Sequence, residues 1–311
     1  MRPLLLPAHL QRATHRGSGR LAAFRGVLPP GDPYRSEDWV ASTTPRRGRS
    51  LEGLTILPDG RLLRAAVEAD LLRWLGVDHA QTRGADVGML VKLVDTGERA
   101  PLHAHPVAVA WVIVEAAPDA VVHLGFGRRV GTAELTGRAG AGALLDDVVA
   151  VPVRAGDALL CPAGVPHALG AGILAIEVRE AADVTVALER PSPAGSLDLV
   201  DRGGWDLARI DAELRGRPRP LRDGVTSLLP PAADRLFSAE LVRAHPRVVL
   251  DAAFSVVVVL EGTGLLVWTD GLEPLDVEAG DAVVVPHAAG PCRVEGPLTA
   301  VRCRPAPSRR P

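Results

Sequence analysis

Asparagine is absent from this chain of 311 residues, and lysine occurs once, at position 92, every other long cation being arginine. The skew is that of a GC-rich coding sequence, and it makes the one lysine informative. An ammonium is a compact point charge whose pKa shifts readily, whereas a guanidinium is a permanently charged planar fork, so Lys92 is a candidate for a place that needs an ammonium, with chance survival as the alternative. Cysteine is scarce as well. Cys161, Cys292 and Cys303 are odd in number and lack metal-site spacing, which argues against a disulfide framework and for reduced core residues. No apolar run approaches the roughly 18 residues of a spanning helix, and MRPLLLPAHLQ offers only three leucines between prolines where a signal segment needs a longer stretch. Net charge is −2, with acids and arginines interspersed, so nothing favours nucleic acid or an anionic membrane. The expectation is a cytoplasmic protein that acts on a small molecule.

What is present is an apolar chain, 47% hydrophobic and long enough for about two domains. Short β-like runs at 87–95, 107–115, 119–126, 150–153, 157–161, 172–178, 183–188, 254–260, 263–268, 282–286 and 297–303 are separated by Gly, Pro and Asp turns, which predicts a mainly β sandwich or barrel. One helix is expected over DGRLLRAAVEADLLRWLG, with Asp59 as N-cap and Gly76 as stop, and a weaker one after Thr132. An internal repeat organises the rest. VRAGDALLCP at 153–162 and VEAGDAVVVP at 277–286 are two copies of one β unit, and the Arg- and Pro-rich stretch 203–235 reads as their connector. The expected division is an N-terminal domain of residues 1–202 with helical insertions and a C-terminal domain of residues 236–311.

The chemistry concentrates between Gly97 and His167. His103 and His105 alternate in a strand-like run, so both imidazoles project to one face and reach one ion. Downstream, PAGVPH ends in His167, with Gly164 permitting a tight turn. Three neutral histidines with an open position suit a catalytic zinc, and iron or manganese fit the same donors. The pattern G-x5-H-x-H followed by G-x5-P-x-G-x2-H resembles the two signature motifs of the cupin superfamily, which implies two small antiparallel barrels here. In the second, Pro291 stands where His167 would correspond, so that barrel is expected to be metal-free, with His245 and His287 on surface or loops. His123 is an unsupported extra ligand.

Further outward, MLVKLVDTGERAPLHAHP, AWVIVEAAPDAVVHLGF, VRAGDALLCPAGVPHALGAGILAIEVRE and SEDWVAS resemble segments of the type I mannose-6-phosphate isomerase family. The resemblance implies one zinc per chain on His103, His105 and His167, with His103 at the family's Gln position. It also implies catalytic roles for Lys92 and Glu177 in an aldose–ketose isomerisation of a phosphosugar. The family's K-T-E-A-W falls on Val107 to Trp111, so its lysine and its ligand glutamate are Val107 and Val109 here. Its arginine falls on Ala187, leaving Arg179 or Arg190 nearby. Two alternatives therefore stand beside the isomerase: an inactive barrel that binds a sugar or metabolite, and a three-histidine cupin with other metal chemistry.

Overall fold

The structure, a computed structural model, describes residues 1–190, 195–268, 271 and 273–307. A six-stranded sheet runs in the order Leu10–Gln11, Glu37–Val40, Leu90–Thr96, Ile173–Arg179, Val109–Ala116 and Ala158–Cys161. Facing it is a five-stranded sheet of Val186–Ala187, His103–Ala104, His167–Leu169, Val121–Phe126 and Val148–Pro152, and every pairing in both is antiparallel. Alternate side chains of the first sheet, Val94, Val109, Trp111 and Ile113, meet Val122, Leu124 and Val151 of the second inside the barrel.

The other face of the six-stranded sheet is buried too. Val91, Leu93, Ala110, Val112 and Ile176 pack with Val256, Val258, Val284 and Val301 of the C-terminal unit and with Leu63, Val67 and Trp74 from short helices. Burial of both faces explains why 87–95 and 172–178 read as continuous apolar runs rather than as alternation. It also joins the two β units through one shared core.

The C-terminal unit is built on a ten-stranded sheet with its own core around Val257, Leu266, Val283 and Val294. The two runs expected at 254–260 and 263–268 are one strand, Ser255–Trp268. Gly262, at φ +81°, bends it beside a register irregularity, so its first half pairs with Leu298–Pro305 and its second with Cys292–Glu295 and Leu275–Glu278. Leu4–Leu5 pair with Val283 and Val284, so the start of the chain lies in this sheet. The stretch 203–235 carries a helix, Leu207–Glu213, and two strands, Arg219–Arg222 and Val225–Ser227, that extend the same sheet.

The helix expected from Asp59 to Gly76 is interrupted. It begins at Leu63, stops at Ala69 and resumes as Leu71–Leu75, because the Asp70 carboxylate accepts from Arg73 N and starts a new helix in mid-pattern. Asp59 instead accepts from Arg61 N in the preceding turn. Gly76 ends the second segment at φ +84°, and a further helix, Val77–Arg83, follows at once. The helix after Thr132 forms as Thr132–Arg138.

The repeated A-G-D has a local cause. Gly156 and Gly280 take φ of +89° and +92°, and Asp157 and Asp281 each accept from the backbone N–H three residues earlier, at Arg154 and Glu278. Among the described residues no helix is long and apolar enough to cross a membrane.

Candidate metal centre

Strand pairing assembles the site. His103 lies opposite His167 on one side and Ala187 on the other. Gly164 at φ +80° donates its N–H to His105 O at 2.7 Å, which ties the PAGVPH turn to the histidine loop; a Cβ there would lie 2.4 Å from Leu199 O. One ring nitrogen from each of His103, His105 and His167 lies within 4.8 Å of the others. Donors 2.0–2.1 Å from a common tetrahedral ion sit about 3.3 Å apart, so closing on an ion requires shifts of under an ångström for each ring.

The donor set fits a metal. Nδ1 of His103 is 2.7 Å from Pro101 O, that of His105 2.7 Å from Val184 O and that of His167 2.9 Å from Val165 O. A carbonyl only accepts, so each Nδ1 carries the hydrogen and each Nε2 presents a lone pair. Nε2 of His167 is buried without a hydrogen-bond partner in the protein. Burial lowers the pKa of His103; burial followed by Arg179 takes His105 well below its ordinary range, and burial followed by His103 does so for His167. All three are neutral at pH 7, the form that binds metal.

Beside them the six-stranded sheet lays a row of inward side chains: Trp39 opposite Lys92, Lys92 opposite Glu177, Glu177 opposite Trp111. Lys92, 5% exposed on an inner strand, holds its ammonium 3.5 Å from Glu37 and 3.8 Å from Glu177, 4.3 Å from the centre of the Trp39 ring. Trp111 Nε1 donates to Glu177 Oε2 at 3.1 Å. Burial works against a charge on Glu37, but Lys92, the Trp39 indole and Arg46 outweigh it and hold the carboxyl at about 2.

A cavity of about 340 Å³ opens onto the imidazoles, Lys92, Glu177 and Arg179, and onto Arg12, Arg46 and Arg190. His103, His105, His167, Lys92 and Glu177 thus all reach one cavity. His123 does not join the group. It is paired with Ala168, the neighbour of His167 on the opposite face of its strand. His287 sits half-buried in a 3-10 turn, where a Cβ on Gly76 would strike its ring. Sequence reading passed over Glu37, Arg46 and His15, all lining the cavity. The SEDWVAS segment was the available signal for Glu37, whereas nothing local marks His15 or Arg46.

No family model and no curated protein matches the chain. Solved structures do. The mannose 6-phosphate isomerase of Bacillus subtilis aligns over 98% of this chain and 100% of its own, with TM-score 0.76 at 19% identity. The apo form of the Salmonella typhimurium mannose 6-phosphate isomerase covers 99% and 100%, with TM-score 0.78 at 13% identity. The same Salmonella enzyme bound to its substrate, fructose 6-phosphate, and to zinc covers 99% and 100%, with TM-score 0.77 at 14% identity. From end to end, then, the chain has the cupin fold of solved type I mannose 6-phosphate isomerases.

Proposed function

We propose that the protein is a zinc-dependent isomerase that interconverts an aldose and a ketose phosphate, of the mannose 6-phosphate kind. The observation that carries this is the convergence of three neutral imidazoles with the buried Lys92–Glu177 pair at the inner end of one cavity. The likeness to a solved isomerase holding fructose 6-phosphate and zinc supports the same reading. His103, His105 and His167 would hold one zinc per chain, and their donor set also suits iron or manganese. When bound, the metal supplies Lewis acidity toward the substrate's adjacent carbonyl and hydroxyl oxygens.

The remaining work falls to side chains of the cavity. Glu177, oriented by the Trp111 indole, is placed to take the proton from one carbon and return it to the next. Lys92, fixed between Glu37 and Glu177, is placed to hydrogen-bond the oxygens between which charge shifts. Arg12 and Arg190, exposed where they line the cavity, are the anchors for a phosphate. In the same proposal residues 1–202 form the metal-binding domain, with Leu4–Leu5 reaching across to the other sheet, 203–235 a connector whose two strands join that sheet, and 236–311 the metal-free domain. Three buried free thiols suit the cytoplasm.

The test is turnover of mannose 6-phosphate to fructose 6-phosphate by zinc-loaded protein, followed by a coupled assay at high enzyme concentration. Turnover that chelator abolishes and zinc restores is the expected result. No turnover of mannose, glucose or ribose phosphates by protein with zinc bound would refute the isomerase and leave a binding barrel.

A further inference from the structure

Arg179 stands directly opposite Val109 in the ladder between Ile173–Arg179 and Val109–Ala116. Its side chain is 1% exposed. Nη1 lies 3.2 Å from His105 Nε2 and 3.9 Å from Glu177 Oε1, and Nη2 donates to Asp183 Oδ1 at 2.8 Å. Nε is buried with no hydrogen-bond partner in the protein. A guanidinium is permanently charged and carries five N–H donors, all of which need acceptors when buried. One of its acceptors here is the lone pair that a metal on His105 would take. The two uses exclude each other, so metal binding must displace Nη1 from His105 and leave it in want of an acceptor within the cavity.

The C-terminal unit repeats this arrangement with different chemistry. Arg302 pairs with Val257 as Glu177 pairs with Trp111, and Val257 with Val283 as Trp111 with Leu159, so Arg304 takes the place of Arg179. By the same register Ser255 takes the place of Val109. Four residues before each stand Asp251 and His105, and Arg304 makes an ion pair with Asp251 at 3.0 Å. There the arginine meets an anion. At the metal centre Asp183 and Glu177 pair with Arg179, and the residue at the position of Asp251 is a neutral imidazole, which satisfies an N–H but adds no charge.

We propose that Arg179 is a specificity-determining residue that competes with the metal for His105 and, once displaced, binds an anionic oxygen of the ligand beside the metal. The ligand class is a sugar phosphate whose metal-side oxygens bear negative charge, as an enediolate or a carboxylate does. Metal and anionic ligand then bind with positive cooperation, because each relieves what the other leaves unpaired. The inference rests on the metal reading above.

The test measures zinc affinity by competition with a fluorescent chelator, with and without 6-phosphogluconate, for the full-length protein and for Arg179→Met. Arg179→Gln serves if the methionine variant fails a far-UV circular dichroism check. Removing the competing charge should tighten zinc binding by about tenfold or more. The gain in zinc affinity that 6-phosphogluconate confers on the unmodified protein should fall to near onefold in the variant. Equal or weaker zinc binding by the variant, or undiminished cooperation, overturns the role of Arg179 while leaving the metal site standing. Absence of zinc binding in both proteins overturns the metal reading and this inference together.

Discussion

Replacing Lys92 by methionine removes the one ammonium of the cavity while nearly preserving its volume. The side chain lies between Glu37 at 3.5 Å and Glu177 at 3.8 Å, and all three are largely buried. Removing one partner of a buried ion cluster costs about 3–5 kcal/mol, because the charges left behind lose their compensation. Linkage gives a similar figure. Glu37 is held at about 2 against an ordinary 4.5, a shift equivalent to about 3 kcal/mol, and Lys92 is the largest influence holding it down. A carboxyl with a depressed folded-state pKa contributes stability above 4.5 that is lost as pH falls toward 2. In Lys92→Met burial acts on Glu37 against only the Trp39 indole, His15 and Arg46, so the carboxyl rises, and the variant's deficit should be largest near pH 7 and shrink toward pH 4. Urea unfolding of both proteins at pH 7 and pH 4.5 reads this out. A variant within about 1 kcal/mol of the parent at pH 7, or a deficit that does not change with pH, would refute the account of the cluster.

Other outcomes follow from the same geometry. His167→Ala leaves two imidazoles and should weaken zinc binding by more than about a hundredfold in chelator competition, while circular dichroism stays that of a β protein. In metal-free protein, His15, His79, His103, His105 and His167 have pKa values lowered chiefly by burial, so the unfolded chain takes up protons first as pH drops. Stability is full above about 6.5 and should fall below it, by up to about 1.4 kcal/mol per pH unit for each histidine, and a urea midpoint unchanged from pH 7.5 to 5.5 would contradict this. Gly280→Ala places a Cβ 1.8 Å from Phe24 O at a φ of +92° and should cost at least about 2 kcal/mol in the same assay.

What sequence made legible was local in origin. The H-x-H pair, the turn that returns His167 and the A-G-D turns each depend on a few consecutive residues, and Lys92 stood out because arginine replaces lysine everywhere else. Arg46 and His15 were illegible because loop packing carries them to the cavity from well up the chain, and Glu37, brought there by strand pairing, was signalled only by the SEDWVAS segment. Arg179 was visible as a nearby cation, but its contact with His105 depends on the ladder register opposite Val109. The break at Asp70 shows the converse, since the apolar periodicity on either side of it supports one helix and a single carboxylate makes two.

The central claim is that three neutral imidazoles hold a metal with no carboxylate at Val109. Its most direct test is the metal content of protein purified without chelator or affinity nickel, incubated with zinc, desalted and measured by elemental mass spectrometry. The account predicts about one zinc per chain, lost in His167→Ala. Zinc-incubated protein that retains no metal would contradict it.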